Sequence, residues 1–256
     1  MTLRLKNPHS ILAALKTRPR DVIEVRAPAK GGADAWAEVR ALAQENRVPI
    51  KTGQAATADD NRKKHGRRGG KRSPDAKTGR LGAGEALVRE LPGVTLGQLF
   101  DDATNRAGGR GLWVAVDCIQ DPHNLGAIVR TASFFGVEGL LLTADRTAPL
   151  SATVYDVAAG GLEFLPFSIQ TNLARSLAVA KEAGIWILGA SEHAEQDLTD
   201  IPRERPWLLA VGNEAKGLRR LTAESCDQMC RITPKGDVRS LNASVAAGIL
   251  IAGLST

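Results

Sequence analysis

Three stretches of this 256-residue chain hold the residue types that could do chemistry, and each begins where an apolar strand runs out. The first is DCIQDPHNLGAIVRTASFFG, Asp117 to Gly136, where Asp-Pro-His-Asn-Leu-Gly follows a strand and Asn124 is of a type that caps helices. Arg130 then falls in the early turns of that helix, beside N–H groups whose dipole already favours an anion. Two positive features in one place would seat a phosphate, although an ordinary solvated helix arginine reads the same. The second stretch is LLAVGNEAKGL, Leu208 to Leu218, where Gly212 and Gly217 bracket a tight turn. Glu214 lies between them, either facing a ligand or capping the next helix. The third is RITPKGDVRSLNASVAAG, Arg231 to Gly248. Its Pro/Gly loop is rich in backbone donors and acceptors, Ile232 and Leu241 flank it as apolar plates for a flat heterocycle, and Ser240 and Asn242 are helix-capping types.

Positioning these stretches requires strands and helices in alternation, and from Leu112 onward that is the pattern. LWVAVDCI is a continuous apolar run, as a strand buried on both faces should be. It is followed by a helix over Asn124–Phe135, strands at 138–144 and 165–169, and a helix over Asn172–Ala183. Strands at 185–190 and 207–214, a helix near Leu218–Cys226, a strand at 229–232 and a terminal helix complete the order. Such alternation predicts an α/β fold with a mostly parallel sheet and ligand sites at the strands' carboxyl ends. No charge occurs between Ser240 and Leu254, and Ala and Gly fill much of that segment, so the terminal helix is expected to be buried on more than one side.

Ahead of this lies a small α/β unit: a helix over His9–Leu15, strands at 22–25 and 48–50, a helix over Asp34–Asn46 and a strand at 84–91. Trp36 on the second helix is either core or a stacking platform. The expected organisation is therefore a front domain over 1–91, a linker over 92–111 and a second domain over 112–256. Net charge is +6, yet residues 61–80 (NRKKHGRRGGKRSPDAKTGR) alone carry +8. Without apolar residues this run is expected to form a flexible basic arm, drawn to polyphosphate or merely solubilising.

Absences narrow the function classes. No strand leads into GxGxxG, and neither GxxxxGK[ST] nor GxSxG occurs, which argues against a dinucleotide, nucleoside triphosphate or α/β-hydrolase site. Cys118, Cys226 and Cys230 make no CxxC pair and the four histidines are scattered, so no metal is expected. No signal-peptide-like or bilayer-length apolar run is seen, so a cytoplasmic protein without membrane contact is expected.

Taken together, in this order and spacing, DPHNLGAIVRTA, VGNEAKGL and ITPKGDVRSLNASVAAGI resemble the three motifs of the SpoU (TrmH-like) family of RNA ribose 2′-O-methyltransferases within the SPOUT class. The front part, with HSILAAL and GEALV, resembles the ribosomal-protein-like RNA-binding domain of bacterial members that act on a guanosine of 23S rRNA. The resemblance implies a C-terminal trefoil knot, S-adenosylmethionine as cofactor, and a homodimer whose second subunit completes the site. Carried over by position, Gly189, Gly212, Ile232 and Leu241 would contact the cofactor. Asn124, Arg130, Glu214, Ser240 and Asn242 would form the catalytic and substrate group. The RNA implied is rRNA; transfer RNA, or a non-catalytic assembly role on the same scaffold, are the rivals. This chain departs from the family at Ile232-Thr233-Pro234, where Ile-Pro-Met is common, and at Asn213 and Lys216 in the second motif.

Overall fold

The computed structural model describes residues 1–28, 34–52, 84–214 and 216–255. They fall into two compact units, Met1–Glu90 and Leu91–Thr256. The basic stretch 61–80 lies outside the described residues.

The first unit runs β1 (Thr2–Leu5), α1 (Pro8–Thr17), β2 (Val22–Ala27), α2 (Asp34–Glu45), β3 (Ile50–Thr52) and β4 (Glu85–Arg89). Its sheet order is β1-β4-β2-β3, with β4 antiparallel to β1 and β2, and β3 parallel to β2. Helix α1 starts where the Asn7 side chain accepts from His9 N–H and Pro8 supplies a preset φ. Its Ile11, Leu12 and Leu15 are buried, as are Val39 and Ala43 of α2, which packs on it. Trp36 is 4% exposed, and a side chain on Gly84 would run into its ring, so this indole is core and offers no open face. Strand β1 has no forerunner in the sequence reading; four residues with only Leu5 buried give too little alternation to register. Glu85, buried, is held by Arg4 at 2.8 Å and Arg26 at 3.4 Å, the pairing that a buried carboxylate requires.

The second unit contains α3 (Leu96–Leu99), β5 (Leu112–Val116), α4 (Pro122–Phe134), β6 (Gly139–Thr143), α5 (Ala152–Val157), β7 (Phe167–Gln170) and α6 (Leu173–Glu182). There follow β8 (Trp186–Ala190), β9 (Gln196–Asp197), β10 (Trp207–Val211), α7 (Arg220–Glu224), β11 (Gln228–Arg231) and α8 (Ala243–Leu254). The seven strands pair in parallel throughout, in the order β7-β6-β5-β10-β8-β11-β9. Every residue of β5, β6 and β10 is buried, which is why these segments read as unbroken apolar runs. The chain leaves β5 toward β7 on one side, then returns to build β8 and its neighbours on the other. Strand β10 closes the gap between β5 and β8. That reversal brings the carboxyl ends of β8, β10 and β11 side by side, where ligands of such sheets bind.

Residues 92–111, expected as a linker, lie within this unit. Thr95 and Gln98 form a reciprocal capping box that starts α3, and Leu99 and Phe100 enter the same core cluster as Trp113, Leu177 and Leu208. Trp113 Nε1 donates to the Leu99 carbonyl at 3.0 Å, and its ring meets Phe100 edge-to-face at 6.3 Å. The Gly-rich end of the stretch disguises two side chains that cover a face of the sheet.

Candidate active site

A cavity of about 630 Å³ opens at the carboxyl ends of β8, β10 and β11. Its walls are Ala190–His193 after β8, the turn from Val211 to Leu218 after β10, the loop from Ile232 to Leu241 after β11, and the small residues Ala243, Ala246 and Ala247 of α8. The volume suits a ligand of drug size.

The β10 turn is built by backbone. Asn213 and Gly217 exchange N–H···O bonds at 3.1 and 2.8 Å, and Gly217 adopts φ 63°, in the left-handed region that glycine alone enters freely. The turn doubles back so closely that a Cβ on Gly212 would strike the Gly217 carbonyl group and the Leu218 nitrogen. Asn213 Nδ2 donates to the Cys118 carbonyl at 3.2 Å, and Cys118 itself holds φ 62°. A cysteine in that region costs about 1 kcal/mol, so the junction between the first two motifs is under strain that the surrounding bonds sustain.

Beneath the turn lies a residue the sequence reading passed over. Asp117, at the end of β5, is fully buried. It accepts from Arg219 Nε at 2.6 Å and from the Arg219 backbone N–H at 3.0 Å, so one carboxylate fixes the place where the turn leaves for α7. The signal was present as an acid directly after five apolar residues. Arg219→Ala should destabilise the protein by about 2 to 3 kcal/mol, because it leaves this buried carboxylate with only a backbone N–H and the weak Cys118 thiol donor in place of a charged partner. Chemical denaturation measures this, and a change below 0.5 kcal/mol, ~the scatter of surface substitutions, would show the pair to be idle.

On the other side, Asn242 is the N-cap of α8: its Oδ1 accepts from Ser244 N–H and Val245 N–H. Its Nδ2 donates to Asn124 Oδ1 at 3.0 Å. The first and third motifs are thus joined by one side-chain bond across 118 residues of sequence. Asn124 is not a cap as expected. Asp121 takes that role by accepting from His123 N–H, and Pro122 starts α4 two residues earlier. Arg130 consequently lies eight residues into the helix, about 12 Å along its axis from the first residue, where the N-terminal dipole is spent. It is exposed and lies outside the cavity wall.

Of the other expected positions, Gly212, Glu214, Ile232, Ser240 and Leu241 line the cavity. Ser240 does not cap α8, since Asn242 does. Gly189 sits one residue below the wall; a side chain there would meet Met229, Cys226 and Leu218, so its smallness lets those side chains close over the strand. Burial pushes the Cys226 and Cys230 thiols up to about 11 and about 12, which keeps them protonated and inert at neutral pH.

Helix α8 buries one stripe, Ala243, Ala247, Leu250, Ile251 and Leu254, against the sheet and α4. The burial on more than one side expected of it is not found within one chain: Val245 is 50% and Ile249 40% exposed, and on α4, which packs against it, Phe134 is 82% exposed. Apolar residues on more than one face do not decide whether the second face meets the same chain or another molecule.

At the start of the third-motif loop, Asp197 Oδ2 accepts from Thr233 N–H at 3.2 Å, while Oδ1 accepts from Thr199 N–H at 3.0 Å and Thr199 Oγ1 at 2.9 Å. The Thr199 backbone bond first, then the Thr233 and Thr199 side chains, hold this carboxyl well below the usual carboxylate range. Because the folded pKa is depressed, its stabilising effect is present above the ordinary carboxylate pKa and is lost only as pH falls through the lowered value.

Residues 111–252 match the model of the SpoU rRNA Methylase family. The chain belongs to the SpoU rRNA methylase family. A SpoU relative, the 23S rRNA (guanosine-2'-O-)-methyltransferase RlmB of Pseudomonas putida, is 33% identical over 245 residues, covering 95% of this chain and 92% of that one. RlmB of Pseudomonas aeruginosa is 39% identical over 172 residues, covering 66% and 69%. The crystal structure of the SpoU methyltransferase AviRb from Streptomyces viridochromogenes in complex with AdoMet aligns with a TM-score of 0.74 at 22% identity, covering 99% of this chain and 89% of that chain. At that identity the likeness is one of fold. The SpoU match spans all three loops of the cavity and the Asn124–Asn242 bond.

Proposed function

We propose that this chain transfers a methyl group from S-adenosylmethionine to the ribose 2′-hydroxyl of a guanosine in 23S rRNA. The observation that carries the reading is the meeting of the three motif loops around one cavity, in a chain that aligns almost end to end with the Pseudomonas putida enzyme. The donor set fits the cofactor. Leu218, Ile232 and Leu241 offer apolar surface for an adenine, the turn at Gly212 presents backbone groups, and the Glu192 and Glu214 carboxylates suit a methionine ammonium.

When bound, the sulfonium supplies an electrophilic methyl group. The protein must then place the 2′-hydroxyl in line and provide for its proton. With Asn242 Nδ2 committed to Asn124 Oδ1, the Asn124 amide N–H groups are left as donors that orient the ribose. Arg130 clamps the adjoining phosphate through its guanidinium fork, and that phosphate or a water accepts the proton. Ser240, on the cavity wall, adds a hydroxyl at the RNA side.

The finer assignments follow the same reading. The return of the chain from β11, at the far side of the sheet, to α8 against α4 is the path a trefoil knot would take. The exposed apolar side chains of Val245 and Ile249 on α8 and Phe134 on the adjoining α4 support a homodimer built on these two helices, which would bring Arg130 to the partner's cavity. The front unit, with the basic residues 61–80, would bind the folded rRNA by shape and phosphate contacts.

Incubating the purified protein with labelled S-adenosylmethionine and either 23S rRNA or tRNA, then mapping ribose methylation by mass spectrometry, tests the proposal. A single methylated guanosine in 23S rRNA is expected. Methylation of tRNA alone would replace the substrate, and no transfer to either RNA would remove the activity.

A further inference from the structure

The loop from Thr233 to Leu241 forms one wall of the cavity, yet every residue in it is exposed, so packing does little to hold its shape. Among the described residues, its hydrogen bonds to the rest of the protein are concentrated at its ends. The far end is the Asn242 cap with its bond to Asn124. The near end is the bond from Thr233 N–H to Asp197, which projects from β9. Strand β9 is two residues long and pairs in parallel with β11, with Asp197 opposite Arg231. The carboxylate therefore reaches two residues beyond its own ladder partner and catches the chain as it leaves the sheet. Its other oxygen is fixed by Thr199, so the acceptor's position is set before the loop meets it.

We infer that Asp197 is a positioning residue for the cofactor wall: through Thr233 N–H it sets the exit angle of the loop that carries Pro234, Lys235, Ser240 and Leu241 into the cavity. This rests on the reading of that cavity as the S-adenosylmethionine site. The role differs from capping the short helix at Leu198–Asp200, which Asp197 performs with the opposite oxygen.

Four variants separate the two roles: Asp197→Asn, Thr233→Pro, the double variant, and Thr199→Val. Isothermal calorimetry with S-adenosylmethionine gives affinity, and hydrogen exchange of the 233–241 amides without ligand gives loop anchoring. Asp197→Asn and Thr233→Pro should each weaken cofactor binding about tenfold and speed exchange in the loop, as loss of a charge-assisted bond does. The double variant should be little worse than Thr233→Pro alone, because both act on the one junction between Asp197 and Thr233. Thr199→Val removes only the hydroxyl bond and keeps the Thr199 N–H bond that fixes the carboxylate, so cofactor affinity should stay within about twofold of the wild type. Equal weakening by Thr199→Val, or unchanged affinity and exchange in Asp197→Asn, overturns the inference. Faster exchange in Asp197→Asn together with a wild type that binds no S-adenosylmethionine would keep the anchor, remove the cofactor role and refute the functional reading.

Discussion

Arg130→Ala is expected to slow single-turnover methyl transfer by about a hundred- to a thousandfold while S-adenosylmethionine binds as before. The size follows from the task. A cationic clamp on a phosphate beside the reacting hydroxyl acts where charge develops, and removal of one such preorganised group carries a penalty of this order. Cofactor affinity should survive because Arg130 is exposed on α4 and takes no part in the cavity wall. That placement leads to a sharper expectation. If α4 and α8 form the homodimer interface, the arginine serves its partner's cavity, and two inactive variants can repair each other. Mixing Arg130→Ala with Gly212→Val should form heterodimers holding one intact cavity faced by one intact arginine. Activity should then reappear at a fraction of the wild-type rate. No recovery, in mixtures that demonstrably exchange subunits, would place Arg130 and the cavity in the same chain. A near-normal rate in Arg130→Ala alone would remove the residue from the reaction.

The sequence made the parallel sheet legible because β5, β6 and β10 are buried on both faces and leave no polar residue to interrupt their runs. It was also informative about the cavity, since Gly212, Glu214 and Ile232 stand just past strand ends, where the fold class puts ligands, and Ser240 and Leu241 close the loop that leads from β11 to α8. What it concealed was mainly a matter of partners. Asn124 looks like a cap when only its own neighbourhood is read; that its amide instead meets Asn242 depends on α4 and α8 lying side by side. Asp117 looks like the polar end of a strand until Arg219 is found beside it, 102 residues later. Asp197 lies in an edge strand too short to announce itself. The segment 92–111 misled because glycines at 93, 97, 108, 109 and 111 mimic a linker, while Leu99 and Phe100 were enough to bind it to the core. Local pattern locates the loops; contacts between distant residues determine which side chain holds which loop.

Gly212→Ala carries the second large effect, a loss of S-adenosylmethionine affinity of more than about a hundredfold, equivalent to roughly 2.7 kcal/mol. One methyl group can do this because the atoms it meets are the Gly217 carbonyl group and the Leu218 nitrogen, main-chain atoms that cannot swing aside. Relief requires breaking the two Asn213–Gly217 bonds or tilting the whole turn, and either change moves the wall formed by Glu214, Lys216 and Leu218. Global stability should fall much less, since the β10 ladder and the Asp117–Arg219 pair lie on either side of the displaced segment. Two nearby glycines calibrate the result. Gly217→Ala meets no atom within 4 Å but must hold φ 63°, so a penalty of about 1 kcal/mol and a smaller loss of affinity are expected. Gly236→Ala, in open space and without a left-handed φ, should bind nearly as the wild type does. Calorimetry across the three variants therefore gives a graded series set by backbone proximity. If Gly212→Ala bound as tightly as Gly236→Ala, the turn after β10 would not be part of the cofactor's seat, and the cavity would need another ligand.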